Sequence, residues 1–413
     1  MDDRTPPAKP LSVSAAAPKR RYVRWVWLVA GLVLLVRLAL VPLIATPWIW
    51  ADEGVYASCA YQIAHHFEFS ARLKAVQPYP PGYSLALVPA SYLGSPRLIY
   101  RGMLVTNCLL VSLVGVVAFY LGRRFLGERD AFLASAVIAV LPSVSVYPYV
   151  LMSENLFLPL VMVSCLLVVR ACESPTPLAW LWVGLTMGVM ALTRGLGLLA
   201  VPAALVVVLI EWARRREWLY GMAALGALLA GLWLVQGPWL AIKALQEAGP
   251  ATLSGYHEEA YWANLKQFLT EWPVFKVCLR LGLHQWLGVG LASAGVFLLF
   301  ALDLCWRPSK PVSRSFTMLA IYFVLLSAGV TLAALMHMWR SYFLWEDERY
   351  ALIMRYTDPL VPVVVLFGTV GLVRLREGRA GRTARVRLGA GALGGVAVFL
   401  FAFPMDGHKF PNV

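Results

Sequence analysis

Residues 25–53 read WVWLVAGLVLLVRLALVPLIATPWIWADE, an apolar run that ends on two adjacent acids, Asp52 and Glu53. About 20 apolar residues cover the ~30 Å of hydrocarbon in a bilayer, so this run is long enough to cross one. The remainder of the chain is written for the same solvent. Of its 413 residues 60% are hydrophobic and 14% charged, a balance that excludes a soluble domain of ordinary make-up. Comparable runs recur near 101–121, 131–150, 154–170, 178–193, 196–211, 219–242, 284–304, 315–336, 355–374 and 387–403. The fold class is an all-α polytopic membrane protein with about eleven transmembrane helices. The fourth to sixth runs are short for a full crossing, as tilted or re-entrant segments are.

Charge placement sets the orientation, because Lys and Arg flanking a crossing are retained on the cytoplasmic side. Arg20, Arg21 and Arg24 precede the first run. Every second loop is then basic: Arg123, Arg124 and Arg129; Arg214 to Arg216; Arg307, Lys310 and Arg314; and the stretch from Arg374 to Arg387. The N-terminus is therefore expected in the cytoplasm. The long loops 47–99, 243–283 and 337–354 fall outside, carrying Asp52, Glu53, Glu68, Glu258, Glu259, Glu346, Asp347 and Glu348. The formal net charge of +14 belongs to the inner rims and not to a nucleic-acid surface, for which no motif is present. Residues 1–24, rich in Pro, Ala and Ser, read as a disordered cytoplasmic tail, and 405–413 as a short external one. The six cysteines form no CxxC or Cys/His cluster, so neither a metal centre nor a disulfide is assigned.

Asp52 and Glu53 then stand at the outer mouth of the first helix. Behind them Tyr56, Ala60, Ile63 and Phe67 fall on one stripe of a segment too short and polar to cross. That pattern predicts an interfacial helix lying along the outer surface. The dipole and free N–H groups of its first turn favour negative charge. On its own, an acid pair opening a helix is an ordinary cap.

Four further stretches on the same face add to it. QPYPPGYSLALVPA (77–90) sets Tyr79 and Tyr83 around a double proline, and YVLMSENLFLPL (149–160) carries Glu154 into an apolar run. An acid there is costly unless it faces a cavity or a partner. ALTRGLGLLAVP (191–202) holds Arg194, and EDERYALIMRYTDPLVPVVVLF (346–367) holds Arg349 and Arg355.

Taken in order, DEGVY (52–56), YPPGYS (79–84), SENLFLPL (153–160), LTRGLGLL (192–199) and RYTDPLVP (355–362) resemble the motifs of the GT-C class of integral-membrane glycosyltransferases. That class includes the protein O-mannosyltransferases and the bacterial aminoarabinose transferase of lipid A. The resemblance covers most of 25–374, with Gln77 where those families have Lys before the double proline. It implies a transmembrane domain over 25–404 whose first extracytoplasmic loop, 47–99, carries the catalytic acid. It also implies a multi-pass protein of the bacterial plasma membrane.

The chemistry can be argued beside the resemblance. The chain has no P-loop, no dinucleotide fingerprint and no cytoplasmic domain to hold a nucleotide sugar. An outward-facing sugar transferase must then draw on a polyprenyl phosphate bearing one sugar, and pass it to a glycan, lipid or protein acceptor. The attacking hydroxyl needs a proton acceptor, for which Asp52 is the expected base. Glu53 is assigned to orienting substrate, or to holding a divalent metal if one is used. Glu154, Tyr79 and Tyr83 are the expected substrate contacts, with Glu154 toward the sugar hydroxyls. The departing phosphate needs fixed cations, with Arg194, Arg349, Arg355 and Lys74 as candidates. One base and a phosphate leaving group imply direct displacement with inversion, by a hexosyl or pentosyl transferase. The alternative is a transporter or flippase of a lipid-linked sugar, which Arg37 inside the first helix would also fit.

Overall fold

A computed structural model of the chain describes residues 21–44, 47, 51–69, 79–247, 258–293, 295, 301, 312–344 and 354–377. Every regular element among these residues is helical. In chain order the α-helices are α1 (Arg21–Leu40), α2 (Ala51–His66), α3 (Gly82–Leu87), α4 (Pro96–Gly122), α5 (Glu128–Ala139), α6 (Pro142–Ser145) and α7 (Glu154–Glu173). Then follow α8 (Pro177–Thr193), α9 (Ala200–Arg215), α10 (Trp218–Glu247), α11 (Glu258–Thr270), α12 (Trp272–Ala292), α13 (Arg314–Leu344) and α14 (Val361–Arg376). Local signals start several of them. Ser95 and Thr176 cap α4 and α8 through their side chains, each followed by a proline in the first turn, where a missing N–H does no harm.

Among the described residues seven helices are long and apolar enough to cross a membrane: Tyr22–Leu43, Pro96–Gly122, Glu154–Glu173, Gly195–Arg215, Trp218–Leu245, Arg314–His337 and Asp358–Arg376. Glu128–Ala139 and Pro142–Tyr149, bent by 62°, make an eighth if they form one span, and Pro177–Thr193 is apolar but shorter. The protein is thus a polytopic integral membrane protein. Of the eleven runs read from the sequence seven coincide with these spans, 131–150 is the bent pair, 178–193 is the shorter helix, and two remain. The run placed at 284–304 overlaps α12, which already begins at Trp272 because Pro273 opens a helix after Glu271. The run at 387–403 lies outside the described residues.

The short helix expected after the first crossing is α2, with both acids in its first turn. Tyr56, Ala60 and Ile63 form its buried stripe. Phe67 does not continue it: the helix has ended, the backbone there is left-handed (φ 56°) and the ring is 81% exposed.

Helix α7 and the Asp358–Arg376 span occupy the middle of the bundle, 72% and 67% buried, whereas the α1 and α10 spans are 17% and 22% buried and lie at its margin. Without a hydrophobic drive between helices in lipid, close approach depends on small residues. Helices α8 and α10 meet that way. A Cβ on Gly184 would stand 2.0 Å from the Leu228 carbonyl oxygen, and one on Gly231 2.4 Å from that of Leu181.

The bundle has two chemically distinct ends. At one, α7 and α14 begin, α8 stops, and α2 packs on α3. At the other, Arg124 pairs with Glu173 at 2.7 Å, Arg376 with Asp130 at 3.0 Å, and Arg314 Nε donates to Glu211 at 2.9 Å.

Candidate active site

Helix ends bring five of the sequence candidates together. Asp52, in the first turn of α2, accepts the Tyr79 hydroxyl on Oδ1 at 2.7 Å, and its Oδ2 lies 2.5 Å from Arg355 Nη1. Arg355, in the short turn Met354–Tyr356, also donates from Nε to Glu154 Oε1 at 2.7 Å. The same Glu154 oxygen takes Nη1 of Arg194, while the Ser153 hydroxyl donates to its other oxygen at 3.3 Å. Tyr79, Asp52, Arg355, Glu154 and Arg194 therefore form one continuous chain.

Local sequence explains how these groups reach each other. Arg194 ends α8 in extended backbone (φ −158°, ψ 135°), and the following turn folds tightly back. A Cβ on Gly197 would lie 2.2 Å from the Met190 carbonyl carbon. Gly82 plays the matching part for α3: its missing side chain lets the Leu192 carbonyl oxygen approach to 2.7 Å of a built Cβ. The double-proline turn carrying Tyr79 is thereby seated against the end of α8. Glu154 opens α7 with no exposed side-chain surface, and its two arginines supply the partners that a buried acid requires.

Burial alone would lower the Arg355 pKa, but Glu154 and then Asp52 outweigh it and the value is raised. Arg194 follows the same pattern, with burial opposed chiefly by Glu154. Its guanidinium also lies 4.9 Å from the Tyr356 ring centroid. Burial, then the hydrogen bond to Asp52, raises Tyr79, so its hydroxyl stays a donor. Arg355 and Asp52 keep about a fifth of their side-chain surface open, 23% and 20%. This end of the network is thus reachable by a ligand.

Other candidates stand elsewhere. Glu53 is 2% exposed and turned away from its neighbour, accepting the Leu151 N–H at 3.0 Å and the Tyr100 hydroxyl at 3.3 Å on Oε2. Both contacts hold the backbone and helices around the site. Tyr83, expected to bind substrate, is fully buried edge-on to Tyr56 and donates to Asn107 Oδ1 at 2.8 Å. Glu154, also expected to bind sugar hydroxyls, gives Oε1 to the two arginines and Oε2 to Ser153. Arg355 does not pair with Asp358, its near neighbour in sequence; Asp358 Oδ2 accepts instead from Tyr147 at 2.6 Å. Lys74 and Arg349 lie outside the described residues.

Tyr147 and Asn107 escaped the sequence analysis because neutral polar residues in apolar runs leave no charge pattern. The one available signal for Tyr147 was its position between Pro142 and Pro148 in LPSVSVYPYV (141–150). Among the described residues no three His, Cys, Asp or Glu side chains gather as a metal set.

An apolar cavity of about 400 Å³ lies between α12, α13 and α14, lined by Trp286, Phe323, Thr331, Leu335, Val364 and Phe367 among others, and its Leu335 end belongs to the cluster that Tyr356 packs against. Leu335 sits two residues before His337, whose ring packs 5.6 Å from that of Tyr356, next to Arg355.

Residues 100–240 match the family model described as dolichyl-phosphate-mannose-protein mannosyltransferase. No curated protein sequence matches the chain. Solved structures sharing its fold include ArnT from Cupriavidus metallidurans bound to undecaprenyl phosphate, with TM-score 0.56 at 16% identity over 95% of this chain and 67% of that one. The apo state of the same protein gives TM-score 0.55 at 16% identity, covering 94% and 66%. The chain thus spans about two thirds of the length of ArnT. In its fold, and over 100–240 in its sequence, the chain is similar to the GT-C integral-membrane glycosyltransferases.

Proposed function

We propose that the protein is a glycosyltransferase that moves one sugar from a polyprenyl-phosphate carrier to an acceptor on the extracytoplasmic face of the membrane. The observation that carries this is Arg355, shared between Asp52 and Glu154 with Arg194 on the same Glu154 oxygen. A carboxylate able to take a proton thus stands beside two guanidiniums able to hold a phosphate. The undecaprenyl phosphate in the ArnT structure supports a lipid carrier of that kind.

In the proposed transfer, the acceptor hydroxyl attacks the anomeric carbon and its proton passes to Asp52. The bond from that carbon to the phosphate oxygen breaks, and the phosphate leaves with its lipid and configuration inverted at the sugar. The leaving dianion needs no acid, only cations, and planar guanidinium forks suit phosphate oxygens. Arg355 links the two halves. An arriving donor phosphate competes with Asp52 for Arg355 Nη1, while Nε stays on Glu154. Donor binding thereby frees the base. The apolar cavity next to Tyr356 is where the first isoprene units would run.

The orientation follows from basic loops, with Arg123, Arg214 to Arg216 and Arg314 inside. Glu68→Cys and Ser313→Cys, both exposed positions, test it: an impermeant maleimide should label the first and spare the second in whole cells. The activity is tested by incubating purified protein with polyprenyl-phosphate sugars and following release of polyprenyl phosphate. Release dependent on both protein and acceptor is expected. No release with any hexosyl or pentosyl donor would retire the proposal.

A further inference from the structure

Arg37 sits in the last turn of α1, far along the helix from a charged partner, and is only 4% exposed. Among the described residues no carboxylate pairs with it. A lone cation at membrane depth is costly, so its partners matter. Its Nη2 donates to the carbonyl oxygens of Ala139 at 2.8 Å and Val144 at 3.1 Å, and its Nη1 to Ser112 Oγ at 2.9 Å.

These acceptors are not arbitrary. In an unbroken helix the Ala139 carbonyl would receive the N–H of residue 143, and the Val144 carbonyl that of residue 148. The chain instead turns extended at Leu141 (ψ 145°), and Pro148 has no N–H to give. The Ala139 carbonyl loses its helical donor at the 62° bend between Glu128–Ala139 and Pro142–Tyr149, and the Val144 carbonyl loses its own to Pro148 within the second arm. Backbone groups left unpaired within the bilayer are strongly disfavoured. One guanidinium satisfies both and ties the bend to α4 through Ser112.

The segment that leaves this bend reaches both arms of the candidate site. Tyr147 donates to Asp358, three residues beyond Arg355, and the Leu151 N–H donates to Glu53, next to Asp52. Between them the Val150 carbonyl accepts from Asn107 at 3.0 Å and Asn155 at 2.9 Å. We propose that Arg37 is a positioning residue for the transfer: by capping the carbonyls of the bend it fixes residues 147–151, and through their contacts with Glu53 and Asp358 it sets the spacing of Asp52 against Arg355. This role rests on the transferase reading above and touches no substrate.

The test combines hydrogen exchange with kinetics on Arg37→Met, Arg37→Lys, Tyr147→Phe and the Arg37→Met/Tyr147→Phe double variant, all as full chains in detergent or nanodiscs. Arg37→Met should speed amide exchange across 147–152 about tenfold or more, as loss of charge-assisted hydrogen bonds implies, with the rest of α4 and α7 unchanged. Its turnover should fall by up to about 10²-fold, the scale of a misplaced reacting group, with little change in KM for the donor. Arg37→Lys, which keeps the charge but not the two-carbonyl fork, should lie between. Tyr147→Phe should cost less in the Arg37→Met background than in the wild type, since both act on one segment.

The proposal is overturned if exchange at 147–152 is unchanged in either Arg37 variant. It is equally overturned if turnover falls only in step with thermal stability and the two sites are additive. Should Arg37→Met fail to insert, Arg37→Lys alone decides, and wild-type exchange and turnover in it would refute the role. The exchange readout needs no sugar donor. An inactive wild type with the expected exchange pattern would therefore retire the transferase reading while leaving Arg37 as the brace of the bend.

Discussion

Both ends of α7 and α14 are pinned by arginine–carboxylate contacts, but the two sets are built differently. At the arginine-rich end, Arg124 with Glu173 and Arg376 with Asp130 are one-to-one pairs whose cations are 36% and 64% exposed. At the opposite end a fully buried Glu154 takes two arginines, and one of these reaches a second acid, Asp52. Burial of the acid alone does not separate the two. Glu211 is as buried as Glu154 and draws three arginines, Arg214, Arg215 and Arg314, of which Arg215 at 22% is as hidden as Arg355, yet among the described residues none of the three reaches a second carboxylate. Exposed pairs contribute ~0–1 kcal/mol, whereas removing one partner from a buried pair costs ~3–5 kcal/mol. Buried ion pairs can often be replaced by packed apolar side chains without loss of stability. A shared, half-hidden arginine is therefore poorly explained by stability, and better explained by an anion that must be received there.

The sharpest break in that comparison is at Asp52. Asp52→Asn keeps the size and can still accept from Tyr79, so insertion should change little, and loss of the partly exposed ion pair with Arg355 should lower thermal stability only modestly. Turnover should fall by about 10²–10⁴, because an amide cannot take the acceptor's proton. Polyprenyl-phosphate release assays check this. Wild-type turnover would leave Asp52 only a structural partner of Tyr79 and Arg355.

Arg355→Ala comes next, with an expected loss of about 10²–10³ in turnover, the scale for removing one group that stabilises developing charge. Donor and free polyprenyl phosphate should both bind more weakly, since each presents phosphate at the same place. Arg355→Lys should recover only part, for the ammonium cannot span Asp52 and Glu154 as the planar fork does. Normal binding of both lipids in Arg355→Ala, with stability alone reduced, would make this end a scaffold like the other.

Charge is rare at the ends of apolar runs, so Asp52, Glu154, Arg194 and Arg355 were conspicuous in the sequence, and the order of the stretches that carry them, which resembles the GT-C motifs, singled them out. Their pairing was not legible. Arg355 passes over Asp358, three residues away, for Glu154, 201 residues away, and only the packing of α7 against the turn before α14 decides it. Adjacent residues fare no better. Asp52 and Glu53 differ by about 100° around α2, so one faces the arginines and the other the Leu151 backbone, and composition cannot say which. Tyr79 and Tyr83 divide in the same way across the start of α3. Seven of the spans were legible from length and hydropathy; 131–150 bends by 62°, 178–193 is short, and Pro273 starts α12 ahead of its apolar run. Arg37 was visible as an anomaly, but its reason lies in carbonyls released by prolines more than a hundred residues on.

A smaller effect is expected at Tyr79. Tyr79→Phe removes the hydrogen bond to Asp52 Oδ1 while keeping the ring that packs 5.2 Å from that of Tyr56. One net hydrogen bond is worth about 0.5–1.5 kcal/mol, or roughly 2- to 10-fold in rate if it orients the base. The change should fall on turnover and not on affinity for polyprenyl phosphate, which Tyr79 does not hold. A loss confined to lipid affinity would move Tyr79 from the base to the donor side of the site.

The smallest effects belong to the arginine-rich end, and they decide whether the contrast between the ends is functional. Arg376→Ala and Arg124→Ala each remove an exposed partner, leaving Asp130 and Glu173 able to turn toward water. Each should cost less than about 1 kcal/mol, no more than about 2 °C in thermal midpoint for a chain of this size, and leave turnover unchanged. Added salt should erase even that difference, because such pairs are screened while the buried network around Glu154 is not. The informative failure would be at Arg376. It closes α14, the helix that Asp358 and Arg355 precede, so a fall in turnover there without loss of stability would mean that α14 transmits strain from one end to the other. The two sets of arginines would then be parts of one device, and the distinction between a bracing end and a reacting end would have to be given up.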